Sequence, residues 1–246
     1  MAMAFENAEQ LQELKERQCE SFEDISHALQ TPLTVLRSSV EYLKKIQIGE
    51  SHHVYAGMDT SIEELSRLVR SILQLARLDT HIPGCEMNII ELNSLVSQVI
   101  EYVQIVAEAS NIIFTKELPD SDIHINGNNR ELEEVCTNLL SNAIKYTANS
   151  RTKCIHLSLT ISADQAILRI KDTGQGMTPE QLAHIFERFY RSPHTASQKE
   201  GYGLGLAITK RIIERHAGSI RFKSTLGTGT SVIVTLPVVP LATLQG

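Results

Sequence analysis

The sequence predicts an α+β fold in which an antiparallel helical hairpin precedes an α/β sandwich domain. Apolar residues recur in steps of four and three along two long amino-terminal segments, a pattern typical of helices that pack in a bundle. After a Pro-Gly turn at residues 83–84, amphipathic helical segments are interspersed with segments that alternate apolar and polar residues, as half-buried strands do. We therefore predict a hairpin domain at residues 8–80 and, at residues 87–238, a domain with helices on one face of a mixed sheet.

The hairpin prediction depends on two apolar runs, one within residues 8–48 and one at residues 58–76, separated by Gly-Glu-Ser at residues 49–51. The second run comprises Met58, Ile62, Leu65, Val69, Ile72 and Ala76. A lone hairpin leaves one apolar stripe uncovered on each helix, and pairing two copies into a four-helix bundle would bury both stripes. The sequence therefore favours a homodimer. The alternative is that the hairpin covers its stripe on the domain that follows.

In the second domain, amphipathic patterns predict helices at residues 92–109, 131–146 and 204–216. Alternating patterns predict strands at residues 112–118, 123–126, 155–161, 166–171, 219–223 and 230–236. Gly218 follows the last helix and is expected to end it, because glycine adopts the left-handed conformation common at helix carboxyl termini.

Composition excludes some classes of function. A net charge of −6 over 246 residues does not favour a nucleic-acid partner. The four cysteines are far apart and form no CxxC pair, which favours a reducing, cytoplasmic setting over a disulfide framework. Because the sequence has neither an apolar run of membrane-spanning length nor a signal-peptide pattern, we expect a cytoplasmic fragment without membrane contact of its own. It could be the cytosolic part of a membrane-anchored protein.

The predicted helix at residues 131–146 carries the first candidate binding residues. Asn138, Asn142 and Lys145 are spaced by four and three, so they share one helix face. An amide oxygen suits Mg²⁺, and a lysine suits phosphate. The alternative is that the asparagines are ordinary surface hydrogen-bonding residues.

An acidic residue and two glycines, Asp172-Thr-Gly174-Gln-Gly176, directly follow a predicted strand. Glycines allow the backbone to approach a flat ligand closely, and the Asp172 carboxylate could accept a hydrogen bond from the exocyclic amine of adenine. The alternative is a plain Asp-Gly turn.

Two further glycine motifs follow. Gly201-Tyr-Gly203-Leu-Gly205 leads into a helix, where backbone N–H groups and the helix dipole favour an anion. Gly227-Thr-Gly229-Thr230 precedes the last strand and could be either part of the site or only a hairpin turn.

His27 is the candidate reactive residue of the hairpin. It lies one position off the apolar seam, so its ring should reach solvent. Pro32, inside the same helical pattern, removes a backbone hydrogen bond and clashes with the carbonyl of Ala28. Thr31 lies four residues after His27 on the same face, where its hydroxyl could orient a water or a phosphoryl group. The alternative is an ordinary exposed helical histidine.

Taken in order, these motifs resemble the catalytic core of two-component sensor histidine kinases. The resemblance covers about residues 22–237: an H box at residues 26–33, an N box, a first glycine box, an F box at residues 186–190, and two further glycine boxes. It implies a dimeric phosphoacceptor hairpin followed by a Bergerat-type ATP-binding domain, with ATP and Mg²⁺ as cofactors. The implied activity is transfer of the γ-phosphoryl group of ATP to His27 and then to an aspartate on a response regulator.

The resemblance also implies roles for individual residues. Asn142 would ligate Mg²⁺, Lys145 would contact phosphate, Tyr146 would line the nucleotide, Asp172 would contact adenine, and Gly174 and Gly176 would shape the adenine pocket. Residues 192–200 match the lid over the nucleotide.

This sequence departs from the family pattern beside His27. Ala28 stands where the family usually has an acidic residue that polarises the histidine, and Gln30 stands where arginine is usual. We therefore expect slow autophosphorylation, or a substitute acid such as Glu23 or Asp24. A nucleotide-binding pseudokinase or scaffold is the alternative function.

A second alternative is a hydrolytic ATPase of the same superfamily. Those enzymes have a glutamate four residues before the magnesium asparagine, where this chain has Asn138, which cannot act as a base.

Overall fold

The computed structural model describes residues 34–38, 52–79, 86–191 and 201–240, and the chain divides into two compact units, residues 1–74 and 75–246. Residues 34–38 are helical. The elements that follow are, in chain order, α1 (His52–Asp79), β1 (Asn88–Glu91), α2 (Leu92–Ala109), β2 (Ile113–Glu117), β3 (His124–Gly127), α3 (Asn129–Thr147), β4 (Cys154–Ser162), β5 (Gln165–Asp172), α4 (Pro179–His184), α5 (Gly205–Arg215), β6 (Ser219–Thr225) and β7 (Gly229–Pro237). None of the helices in these ranges is both long and apolar enough to cross a membrane.

Helix α1 confirms the second predicted helix of the hairpin, including its end at Asp79. Its burial differs from the predicted seam, because the buried positions are Ser61, Leu68 and Leu75, seven residues apart. Two predicted seam residues and a neighbour, Ile62, Val69 and Leu73, are 49%, 41% and 53% exposed. We call these three residues the α1 stripe. The first predicted helix, apart from residues 34–38, lies outside the described residues, as do the break at residues 49–51, His27 and Thr31.

The second unit contains the predicted mixed sheet. Its five strands have the order β2-β4-β5-β7-β6, with β2 parallel to β4 and the other neighbours antiparallel. Strands β1 and β3 form a separate antiparallel pair. In β4 the side chains of Ile155, Leu157 and Leu159 are buried and alternate with half-buried ones, so only one face of the sheet is covered. Helix α2 packs on β2 and α3, α3 on β4, β5 and α5, and α5 on β6.

Two elements lie outside the predicted set. Strand β1 is only four residues long, and its partner β3 is more than thirty residues away in sequence. Helix α4 begins with a capping box in which Thr178 and Gln181 bond reciprocally to each other's backbone, followed by Pro179 at the first helical position. That pattern is a recognised helix start, so the sequence held the signal for α4.

The carboxyl end of α5 corrects the prediction made for Gly218. The left-handed residue is Ala217, with φ +53°, and a Schellman arrangement closes the helix through Ala217 N to Glu214 O (3.0 Å) and Gly218 N to Ile213 O (2.9 Å). Gly218 is required for a different reason. A Cβ there would lie 2.4 Å from the carbonyl oxygen of Thr235 on β7.

This finding predicts that Ala217→Gly stabilises the second unit. An L-residue in the left-handed region is disfavoured by about 1 kcal/mol relative to glycine, so the free energy of unfolding should rise by about that amount. Urea unfolding followed by circular dichroism measures the change. The matched control, Ala183→Gly within helix α4, should lower stability by about 1 kcal/mol or less. A loss of stability in Ala217→Gly would contradict this explanation of the helix end.

Candidate functional site

Helices α3 and α5 run antiparallel in contact, and this arrangement brings two of the predicted motifs together. The amide of Asn138 on α3 donates through Nδ2 to Thr209 Oγ1 on α5 at 2.8 Å. Gly205, at the start of α5, lies so close that a Cβ would be 2.7 Å from Asn138 Oδ1. The first turn of α5 therefore lies beside α3, one turn before Asn142. The nucleotide contact predicted for Asn138 stays a prediction, and its amide nitrogen already has a protein partner.

The last turns of α3 carry the other predicted residues of the N box. The helix begins where the Asn128 side chain accepts a hydrogen bond from Glu131 N at 3.1 Å, a regular N-cap. Asn142, Lys145 and Tyr146 are all half-buried. The carbonyl of Tyr146 accepts from Gln175 N at 3.3 Å, so the first glycine motif contacts the carboxyl end of α3.

Asp172 ends strand β5 and is 6% exposed. Its Oδ1 accepts hydrogen bonds from Gly174 N at 2.8 Å and Thr230 N at 3.2 Å. Burial raises the pKa of the Asp172 carboxyl above its ordinary value, and the two backbone donors oppose part of that rise. Among the described residues both donors reach Oδ1, so Oδ2 is available to a ligand. The geometry fits a carboxylate that accepts from an amine donor on a bound base.

Two turns interlock around Asp172. Gly176, with φ +66°, follows Asp172 closely, and a Cβ there would lie 2.0 Å from the carbonyl oxygen of Thr225. Gly229, with φ +129°, approaches Asp172 so closely that a Cβ would lie 2.1 Å from its carbonyl oxygen. Gly227 N donates to Gln175 O at 2.7 Å. The last glycine motif is thus a hairpin turn between β6 and β7 that also holds the first glycine motif in place.

The second glycine motif, at residues 201–205, contacts the F box. Gly203 has φ +71°, and a Cβ there would lie 2.6 Å from the carbonyl oxygen of Tyr190. Within the F box, the Phe186 ring packs edge-on against Phe222 with centroids 5.5 Å apart. The ammonium of Lys210 lies 5.1 Å from the centroid of the Phe186 ring. Aromatic packing therefore connects the F box to α5 and β6.

The structure thus collects most predicted site residues at one end of the second unit. They come from the second half of α3 (Asn138, Asn142, Lys145, Tyr146), the end of β5 and the turn after it (Asp172, Gly174, Gly176), the start of β7 (Thr230) and the segment that leads into α5 (Gly201, Gly203, Gly205). Thr209 and His216 also contact α3 but were absent from the sequence prediction. The signal for Thr209 was a polar side chain on the otherwise apolar face of α5, and His216 lies at the end of that helix, as its C-cap.

A separate groove of about 700 Å³ runs between α2 and α3. Tyr102, Val106, Ser141 and Lys145 are among its lining residues. It shares Lys145 with the candidate site but contains no residue of the glycine motifs.

Two family models match the chain. One is the His Kinase A (phospho-acceptor) domain, over residues 17–81, and the other is the Histidine kinase-, DNA gyrase B-, and HSP90-like ATPase, over residues 127–240. The chain is 35% identical over 218 residues to the sensor histidine kinase RppB of Synechocystis sp.. It is 31% identical over 241 residues to the sensor protein kinase WalK of Staphylococcus epidermidis. The chain belongs to the histidine kinase family.

These matches cover 87% and 96% of the chain but only 47% of RppB and 39% of WalK, so the chain spans less than half of these relatives. The fold is also similar to a crystal structure of the histidine kinase ThkA in complex with the response regulator protein TrrA. That likeness has a TM-score of 0.70 at 23% identity and covers 94% of this chain and 64% of the other. The phospho-acceptor match favours a histidine kinase over the hydrolytic ATPase alternative.

Proposed function

We propose that this histidine kinase core binds ATP with Mg²⁺ in its second unit and transfers the γ-phosphoryl group to His27. The observation that carries the proposal is the buried Asp172, whose Oδ1 is held by two backbone donors while Oδ2 is available to the exocyclic amine of adenine. The proposed domains are residues 8–80 for the phosphoacceptor hairpin and 87–238 for the ATP-binding domain. Use of ATP implies a cytoplasmic location.

The residues at the end of α3 fit a magnesium ion that arrives with its nucleotide. The described residues contain no cluster of three acidic, histidine or cysteine side chains that could hold a metal by itself. Mg²⁺ in nucleotide sites is usually held by one or two protein oxygens together with phosphate oxygens and water. Asn142 would supply the protein oxygen and Lys145 would contact phosphate, while Tyr146 lines the nucleotide. Bound magnesium neutralises charge on the phosphates.

Backbone groups complete the proposed site. A Cβ at Gly174 would lie 2.9 Å from the carbonyl oxygen of Tyr146, and one at Gly176 would lie 2.0 Å from that of Thr225, so these glycines would shape the adenine pocket by letting the turn pack closely beside Asp172. Thr230 holds the carboxylate through its main-chain nitrogen. Gly201, Gly203 and Gly205 precede or begin α5, where N–H groups without helical partners can donate to phosphate oxygens.

His27 acts as the nucleophile in this proposal. A ring nitrogen forms a bond to the γ-phosphorus as the bond to the bridging oxygen breaks, and the proton of the attacking imidazole is released. Thr31 would orient the phosphoryl group or a water. Ala28 supplies no carboxylate to accept the proton, so we expect transfer of the phosphoryl group to His27 to be slow.

Two partners are proposed. The exposed α1 stripe, with Ile62, Val69 and Leu73, favours a homodimer in which a second copy covers it. A response-regulator receiver domain would accept the phosphoryl group on an aspartate. The complex of the similar kinase ThkA with the response regulator TrrA supports this choice of partner.

Incubation with γ-labelled ATP separates the kinase from a pseudokinase. Label that is acid-labile and base-stable supports the proposal, since phosphohistidine has that stability pattern. Normal nucleotide binding in calorimetry without any label over hours would instead support the nucleotide-binding scaffold.

Ala28→Glu should raise the initial rate of autophosphorylation. A general base is typically worth about 10²–10⁴-fold, and even a poorly placed carboxylate should give about tenfold. Ala28→Gln, which matches glutamate in size but not in charge, should not raise the rate. If Ala28→Glu labels at the wild-type rate or more slowly, the missing acid does not limit the reaction.

A further inference from the structure

Two buried polar side chains, Thr209 on α5 and His216 directly after it, are hydrogen-bonded to α3 and to its N-cap residue Asn128, respectively. Thr209 is 1% exposed and His216 is 4% exposed, among apolar neighbours such as Ile208 and Ile212. A buried polar group without a partner is costly, so such groups specify which atoms must meet when two helices pack. These two side chains therefore determine the register of α5 against α3.

The contact between Thr209 and Asn138 restricts movement of α5 along α3. Asn138 Nδ2 donates to Thr209 Oγ1 at 2.8 Å. One turn earlier on α5, Gly205 has no side chain, and this leaves space for the same asparagine amide. Any slide of α5 along α3 would separate this pair and press Gly205 into a different part of α3.

His216 fixes the other end of the same helix pair. Its Nε2 accepts a hydrogen bond from Asn128 N at 3.0 Å, so the proton of the neutral ring lies on Nδ1, which donates to Ile212 O at 2.7 Å. The ring packs against Gly127, where a Cβ would lie 2.8 Å from Cδ2. Glu131 accepts from Arg215 at 3.3 Å in the same region.

These contacts bear directly on the proposed nucleotide site. Asn142 lies one turn beyond Asn138 on α3, and the Gly201–Gly205 segment lies one turn and more before Thr209 on α5. The Thr209 contact thus sets the distance between the amide that would ligate Mg²⁺ and the backbone N–H groups that would hold the phosphates.

We propose that Thr209 is a positioning residue for magnesium-bound nucleotide: through Asn138 it holds the phosphate-binding start of α5 at the distance from Asn142 that a magnesium–phosphate group bridges. The inference rests on the proposed function. Adenine binding at Asp172 involves the turn after β5 rather than the contact between Asn138 and Thr209, so it should depend little on Thr209.

The test is nucleotide affinity of the whole chain, measured by calorimetry with an ATP analogue that has an imido β–γ bridge, in Mg²⁺ and in EDTA. Thr209→Val keeps the shape of the side chain and removes the hydroxyl, and Thr209→Ser restores the hydroxyl. Thr235→Val is the matched control, because it removes a threonine hydroxyl that pairs with Ser219 Oγ at 2.7 Å elsewhere in the same unit.

In Thr209→Val, the gain in affinity that Mg²⁺ confers should fall by about fivefold or more, with less than about twofold change in EDTA. Thr209→Ser and Thr235→Val should match the wild type. Equal affinity of Thr209→Val and the wild type in Mg²⁺ would overturn the inference, and so would an equal loss with and without Mg²⁺. If the wild type itself binds no nucleotide, the proposed function fails and this inference fails with it.

Discussion

Asp172→Asn should weaken nucleotide binding by about 10- to 100-fold, since hydrogen bonds to charged groups contribute about 1.5–3 kcal/mol. Asparagine can keep Oδ1 as the acceptor for Gly174 N and Thr230 N. Its Nδ2, however, would replace Oδ2 and present a donor to the adenine amine, which is also a donor. Calorimetry with the imido analogue of ATP measures the loss. An affinity within about twofold of the wild type would show that Asp172 does not contact the base.

The same variant should not lose stability, which separates a binding defect from unfolding. Burial raises the folded-state pKa of Asp172, so the folded protein disfavours the ionised form. The Asp172 carboxyl therefore contributes to the free energy of unfolding of the wild type at acid pH, and this contribution is lost as the pH rises through the folded-state pKa. Asp172→Asn removes that cost, so its free energy of unfolding should equal or exceed that of the wild type at neutral pH. The difference should shrink as the pH falls.

Gly176→Ala should destabilise the second unit by about 3 kcal/mol or more and abolish nucleotide binding. The left-handed φ of +66° costs about 1–2 kcal/mol for alanine, and the new Cβ would lie 2.0 Å from Thr225 O, which is backbone and cannot move aside alone. Relief of the clash would separate the two turns that enclose Asp172. Urea unfolding and calorimetry measure the two effects.

Gly227→Ala is the matched control, because Gly227 has a similar φ of +77° in the adjoining turn. Among the described residues nothing lies within 4 Å of a Cβ at this position. Only the conformational cost of a left-handed alanine applies, so the free energy of unfolding should fall by about 1–2 kcal/mol and nucleotide binding should be retained. If Gly176→Ala and Gly227→Ala change stability and nucleotide affinity equally, the close approach at Gly176 does not contribute to nucleotide binding.

The sequence predicted the elements whose signal is local. Helix α2 has the predicted bounds, residues 92–109, because its apolar pattern is uninterrupted and polar residues flank it. Strand β5 was predicted to within one residue at each end for the same reason. Strand β1 has only four residues and depends on a distant partner, so no local pattern marked it. The buried positions of α1 also depend on what packs against it, and the apolar pattern left that choice open.

The candidate site was predictable from the order of its motifs rather than from any one motif. A single Asp-Gly or Gly-Thr-Gly segment is compatible with an ordinary turn, and the β6–β7 segment is such a turn as well as part of the candidate site. The bonds that assemble the site join residues 58 and 71 positions apart, Thr230 to Asp172 and Asn138 to Thr209. Contacts between residues so far apart in sequence depend on how the elements pack, and a short stretch of sequence does not show that packing.

The most direct test of the account is the identity of the phosphorylated residue. After incubation with ATP and Mg²⁺, digestion with trypsin at Arg17 and Arg37 would release residues 18–37, in which His27 is the only histidine. The account predicts one phosphoryl group on His27 by mass spectrometry at neutral pH, and none on the same peptide from His27→Gln. Phosphorylation at another residue, or equal phosphorylation of His27→Gln, would contradict it.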